Sequence, residues 1–234
     1  DRRGEPLRGW PGEAERRLGV SPSLGDMDGD GFLDVAVGSS DSYVYVWDRY
    51  GQDLPGWPKQ AGDGLRAWSP ILGDIDSDGS LDVAVPSGRV GGHRATYIWN
   101  RSGDPLYGWP RSPIGSTRIG DVTGSGFANV IIAYRSSYAF EPAGAQVAGW
   151  PVEKHSSNTE YALGDLNGDG YLNLVAVSGE ITGSEVKVTH LGAPYTAGSV
   201  QWGLKRHDLP RTGRYDFSGD QELRPGIDIA VPDE

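Results

Sequence analysis

Short apolar runs, broken by glycine-rich acidic stretches, set the pattern of this chain. Val35-Ala36-Val37, Val83-Ala84-Val85 and Leu174-Val175-Ala176-Val177 are too short for helices. They are rich in side chains that suit a pleated, buried surface. Tyr43-Val44-Tyr45-Val46-Trp47 and Thr96-Tyr97-Ile98-Trp99 follow the first two as runs of large aromatic and β-branched residues. A Gly-Trp-Pro mark comes next, at Gly56-Trp57-Pro58, Gly108-Trp109-Pro110 and Gly149-Trp150-Pro151. Ahead of the acidic stretches stand Ser21-Pro22-Ser23-Leu24, Ser69-Pro70-Ile71-Leu72, Ser116-Thr117-Arg118-Ile119 and Glu160-Tyr161-Ala162-Leu163. Each unit therefore predicts four short strands, with the acidic loop joining the first to the second.

The units repeat. Gly25-Asp26, Gly73-Asp74, Gly120-Asp121 and Gly164-Asp165 recur at spacings of 48, 47 and 44 residues. A four-stranded unit of about 40 to 50 residues is what a propeller blade requires, because one such sheet buries both faces only by packing between neighbours. The expected fold is all-β: a β-propeller of four-stranded antiparallel blades in a single domain, 1–234, with blades at 21–58, 69–110, 116–151 and 160–203. Residues 1–11, ending Gly9-Trp10-Pro11, align with the end of a unit, and 211–234 align with the start of one through Asp216-Phe217-Ser218-Gly219-Asp220 and Ile227-Asp228-Ile229-Ala230-Val231. These halves are expected to form the last and first strands of a split blade. They would close a ring, pair head to tail between molecules, or belong to a longer propeller; an open edge strand favours pairing.

The acidic stretches carry the candidate chemistry. In Asp26-Met27-Asp28-Gly29-Asp30-Gly31-Phe32-Leu33-Asp34 carboxylates fall at alternate positions of a glycine-rich loop. The pattern returns at Asp74-Ile75-Asp76-Ser77-Asp78-Gly79-Ser80-Leu81-Asp82 and at Asp165-Leu166-Asn167-Gly168-Asp169-Gly170-Tyr171-Leu172-Asn173. Alternating oxygen donors on a tight loop are what a hard cation such as Ca²⁺ needs; hydrated Asp/Gly turns are the metal-free alternative. Asp121-Val122-Thr123-Gly124-Ser125-Gly126-Phe127-Ala128-Asn129 keeps the glycines but a single carboxylate, so it is expected to hold its turn without a tightly bound ion. An EF-hand is excluded: position 12 of these loops is Val37, Val85 or Ala176 within a strand, not a glutamate between helices.

Composition narrows the function. The net charge of −11 argues against a nucleic-acid partner, and much of it sits in the aspartate loops, where a divalent ion would relieve repulsion. With Cys 0 there are no disulfides or thiolate sites, and no apolar run is long enough to span a membrane as a helix. No signal-like segment opens the sequence at Asp1, so export is an expectation from the calcium chemistry alone.

Ser-Pro-x-Leu-Gly-Asp-x-Asp-x-Asp-Gly-x-x-Asp-Val-Ala-Val, followed by a Trp-ended strand and Leu-Pro-Gly-Trp-Pro, resembles the FG-GAP/VCBS repeats of integrin-α-type propellers, most closely the secreted bacterial and archaeal kind. The segment from Trp202 to Tyr215 resembles a stretch found at the end of such propellers. The resemblance implies a Ca²⁺-stabilised extracellular or cell-surface module, non-enzymatic, with a role in adhesion or assembly. It places metal ligands at Asp26, Asp28, Asp30, the Phe32 carbonyl and Asp34; at Asp74, Asp76, Asp78, the Ser80 carbonyl and Asp82; and at Asp165, Asn167, Asp169, the Tyr171 carbonyl and Asn173. Expected partners are other copies of the protein, giving a homo-oligomer or filament, or an extracellular protein or glycan.

Other chemistry finds less support. His93, His155, His190 and His207 lack the close spacing of a zinc site, and no Gly-x-Ser-x-Gly elbow of hydrolase type is present. A glycosidase carboxylate pair is disfavoured because most aspartates are already explained by the repeat. Trp10, Trp57, Trp109, Trp150 and Trp202 recur once per unit and are expected to pack between blades. Trp68 falls outside that repeat and is the candidate ligand contact if the chain is a carbohydrate-binding lectin or an accessory module of a polysaccharide-degrading enzyme. Arg2, Arg3, Arg8, Arg16 and Arg17 form a basic cluster, read as a solvated face or as a contact for an acidic neighbour.

Overall fold

A computed structural model describes residues 4–62, 69–88, 94–154, 160–180, 183–196 and 199–202, and all regular structure among them is β. In the first unit β1 (Ser23–Gly25), β2 (Asp34–Gly38), β3 (Tyr43–Trp47) and β4 (Lys59–Gln60) form an antiparallel sheet in chain order. The second holds β5 (Ile71–Gly73), β6 (Asp82–Gly88) and β7 (Arg94–Trp99), with single bridges Thr96–Arg111 and Trp99–Pro105 where a fourth strand would run. The third holds β8 (Ser116–Gly120), β9 (Asn129–Ala133), β10 (Ser136–Phe140) and β11 (Val152–Lys154). The fourth holds β12 (Glu160–Gly164), β13 (Tyr171–Glu180) and β14 (Gly183–Pro194).

Two details depart from the expected unit boundaries. Strands β4 and β11 begin just past Pro58 and Pro151, so Gly-Trp-Pro is the corner before the fourth strand and not its end. Residues 4–11 form a turn and the same kind of corner, with no named strand. The fourth sheet, expected to contain four strands by residue 203, has three among the described residues. The remaining strand, β15 (Val200–Trp202), pairs antiparallel with β8 and extends the third sheet, in the order β11-β10-β9-β8-β15. Residues 203–234, including the expected half-blade at 211–234, lie outside the described residues.

The first strands line up side by side, β1 against β5, β5 against β8 and β8 against β12. Side chains tie them: Ser23 Oγ donates to Pro70 O at 2.6 Å, and Arg118 Nε donates to Tyr161 O at 3.0 Å. Apolar layers fill the spaces between sheets. Ala36, Val44, Ile71, Leu72, Val83, Ile98 and Val130 belong to one continuous buried core, and Ile131, Leu163, Leu172 and Leu174 to a second.

Three of the recurring tryptophans staple one unit to the next. Trp10, Trp57 and Trp109 donate their indole N–H to Arg49 O, Arg101 O and Pro142 O, at 3.0, 3.0 and 2.8 Å. Each meets the aromatic that ends the next unit's third strand edge-on: Trp47 at 6.1 Å, Trp99 at 6.0 Å and Phe140 at 5.7 Å between centroids. Such a ring pair contributes about 0.5–1.5 kcal/mol beyond its buried area, and the hydrogen bond about 1 kcal/mol more. The preceding glycine makes the approach possible. A Cβ on Gly9, Gly56 or Gly108 would stand 1.8, 2.1 or 2.0 Å from a main-chain oxygen of the next unit's turn.

Gly149 has the same left-handed backbone, φ +83°, but nothing among the described residues within 4 Å of its Cβ position, and so supplies an internal control. Gly56→Ala adds a backbone clash to the left-handed penalty of about 1–2 kcal/mol, whereas Gly149→Ala incurs the penalty alone. Urea unfolding is expected to show the larger stability loss at position 56. Equal losses would mean that the corners do not carry the contact between units.

Candidate metal centre

All four acidic loops fold on the same hydrogen bonds. The first aspartate of each accepts main-chain N–H groups from the loop's own glycines: Asp26 from Gly29 and Gly31 (2.8 and 2.9 Å), Asp74 from Gly79 (3.1 Å), Asp121 from Gly124 and Gly126 (2.7 and 2.6 Å), Asp165 from Gly168 and Gly170 (2.8 and 2.9 Å). The shared glycine, at 31, 79, 126 and 170, has φ between +82° and +86°, which only glycine adopts freely. Phe32, Ser80 and Tyr171 take matching places, their N–H groups donating to Asp30, Asp78 and Asp169 at 2.8, 2.7 and 2.9 Å.

The ninth residue closes the loop. Asp34 Oδ2 accepts the Met27 N–H and Asp82 Oδ2 the Ile75 N–H, both at 2.8 Å. Asn129 Oδ1 and Asn173 Oδ1 do the same for Val122 and Leu166, at 3.0 and 2.8 Å. One oxygen therefore serves as a clamp in every copy. In the first two loops the clamp is a carboxyl group, and the second oxygen of Asp82 has no hydrogen-bond partner among the described residues. Asp34 is 2% exposed and Asp82 is 1% exposed, and burial pushes their carboxyls up to about 7 and about 8.

Those two loops also bring carboxylates together. Single oxygens of Asp26, Asp28 and Asp34 lie within 4.8 Å of one another, as do oxygens of Asp74, Asp76 and Asp78. Ligands about 2.3–2.6 Å from one Ca²⁺ stand up to about 5 Å apart, so both clusters have the right span. In the second loop Asp74 Oδ1 and Asp82 Oδ1 are buried without a hydrogen-bond partner, which a cation would satisfy. Asp30 stands apart from its cluster: Arg49 pairs with it at 3.2 Å while stacking over the Phe32 ring at 3.8 Å.

The other two loops are electrically quieter. Burial works to raise Asp121, but N–H donors from Gly126, Ser125 and Gly124 and the Thr123 hydroxyl outweigh it and hold the carboxyl below its usual range. Asn129 spends its amide N–H on Glu141 at 3.3 Å. In the fourth loop Asn167 donates to Asp169 at 2.9 Å, which with His190 keeps that carboxyl low; His190 Nε2 stands 3.6 Å from Asp169. Neither Arg49 nor His190 was evident as a loop neighbour from sequence, because each reaches in from the unit's third strand or the turn after it. The ninth-position clamp did leave a signal: Asp34, Asp82, Asn129 and Asn173 all carry a side-chain carbonyl oxygen. Trp68, His93, His155 and His207 lie outside the described residues.

These shifts predict a pH dependence. Without a cation the folded chain keeps protons on Asp34 and Asp82 up to about pH 7 and 8, whereas unfolded aspartates release them near pH 4. Between those limits the folded state binds more protons, so stability falls as pH rises. Asp121 and Asp169, both lowered, titrate below this window and do not offset it. Chelator-treated protein is expected to melt at a lower temperature near pH 8 than near pH 5.5. A flat or reversed profile would contradict the buried-carboxylate assignment.

No curated protein matches the chain. The crystal structure of BBS1N in complex with ARL6DN, soaked with mercury, is similar at a TM-score of 0.50 and 15% identity, covering 82% of this chain and 55% of that one. The lead-soaked crystal of the same complex gives 0.44 and 14%, covering 77% and 52%. The chain thus spans little more than half the length of either solved chain. The model of the FG-GAP-like repeat family matches residues 26–85, from the first acidic loop through the strand after the second. Residues 26–85 are similar to the FG-GAP-like repeat, and the chain has an all-β fold of the β-propeller type.

Proposed function

We propose that this chain is a non-enzymatic, calcium-stabilised propeller module that works outside the cell or at its surface, in adhesion or protein assembly. The observation that carries the reading is the pair of carboxylate clusters in loops one and two, the first including the buried Asp34 and the second in the loop that the buried Asp82 closes. Asp26, Asp28 and Asp34 would hold one ion, and Asp74, Asp76 and Asp78 with Asp82 the other. Bound Ca²⁺ supplies positive charge and no reaction step; its effect is to tie the first strand of a unit to the second. Extracellular modules bind Ca²⁺ at about 10⁻⁴–10⁻³ M, a range suited to the outside of cells and not to cytosol.

A protein is the first class of partner to test, since BBS1N is crystallised in complex with ARL6DN. In this reading the half-units at 1–11 and 211–234 complete one another, within a molecule or head to tail between molecules. Electron microscopy of the purified chain is expected to show closed rings or fibres. Particles of single, open chains alone would remove the assembly role.

The metal dependence has its own test. Chelation is expected to lower the melting temperature, and Asp28→Ala combined with Asp76→Ala to abolish most of that response. Identical melting curves for the wild-type chain with calcium and with chelator would refute the calcium reading.

A further inference from the structure

Strand β15 lies across the starts of two acidic loops. Ser199 O accepts the Asp121 N–H at 2.7 Å, and Gln201 Nε2 donates to the main-chain oxygen of Asp74 at 3.3 Å, across 127 residues of sequence. Both loops open with Gly-Asp, and both glycines make room for the strand. A Cβ on Gly73 would stand 2.8 Å from Gln201 Oε1, and one on Gly120 would stand 3.1 Å from Ser199 O.

The second loop and its visitor share an excess of acceptors. Among the described residues Gln201 Oε1, Asp74 Oδ1 and Asp82 Oδ1 are each buried with no hydrogen-bond partner, and the Asp82 residue is 1% exposed. An unsatisfied buried acceptor is costly, and the two on the loop's own aspartates favour a positive partner. The first loop differs: both oxygens of Asp26 accept glycine N–H groups, at 2.8 and 2.9 Å.

We propose that Gln201 is a positioning residue for the cation of the second loop, so that seating of β15 and occupancy of that loop reinforce each other. The proposal rests on the calcium reading and deepens it, tying one of the two sites to a strand that follows the fourth unit. Gln201 fixes the main chain of Asp74, the loop's first aspartate, through its amide N–H. Coupling of this kind is reciprocal: whatever the strand adds to calcium affinity, calcium returns to the strand.

Calcium chloride titrated calorimetrically into the full chain separates the sites. Asp28→Asn leaves loop two as the intact cluster, and Asp76→Asn leaves loop one. Gln201→Leu is expected to weaken calcium about fivefold or more in the first background and to leave the second unchanged, within the usual range of coupling energies. Equal weakening in both, or none in either, would overturn the proposal. A second readout leaves Gln201 in place: calcium should slow hydrogen exchange of the 199–202 amides in the Asp28→Asn chain and not in the Asp76→Asn chain. Exchange unaffected in both backgrounds, with calcium bound, counts against the coupling alone. Absence of calcium binding in either background would remove the calcium reading, and this inference with it.

Discussion

One hydrogen bond, made in each of the four acidic loops, fixes the path from first strand to second: the ninth side chain accepts the N–H that follows the first aspartate. Geometry asks only for a carbonyl oxygen on a short side chain, which Asp and Asn supply equally. Charge divides the copies. With asparagine the clamp is neutral and the loop is complete; with Asp34 or Asp82 the fold buries an ionisable group. That group either keeps its proton or takes a positive partner, and the neighbouring aspartates assemble a place for such a partner. The same backbone thus yields turns that stand alone and turns that fit an ion.

The units are joined by a second repeated device. A glycine corner carries a tryptophan into the next unit, where the indole N–H and ring edge find a main-chain oxygen and an aromatic face. Loop clamps act within a unit and tryptophan staples between units, so rigidity passes along the series by contacts between neighbours. β15 is the exception. It crosses from the end of the fourth unit to the β8 edge of the third and reaches the second. The acidic loops therefore do not all share one environment, even where their sequences match.

Much of this was legible in the chain itself. The recurrent Gly-Asp, the β-branched runs and the alternating aromatics are local signals, and the strands of the first three units fall on them. The fourth strands were harder to place. Gly-Trp-Pro reads as the end of an element, and only the left-handed glycine shows that the chain turns there and then pairs. The pairing of β15 with β8 is non-local, and no spacing announces it. Within the loops, an aspartate at position nine reads as a ligand when its neighbours are aspartates; that it is first a clamp is visible only when Asn129 and Asn173 are seen making the same bond. Arg49 and His190 enter from other segments and needed coordinates to be found.

Crystals grown with calcium and measured at a long wavelength, where calcium scatters anomalously, would test most directly whether burial of the ninth carboxylate decides which loops take an ion. Anomalous peaks are expected between Asp26, Asp28 and Asp34 and between Asp74, Asp76 and Asp78, with none in the loop of Asp121. Empty first and second loops, or a peak beside Asp121 as strong as theirs, would contradict the account.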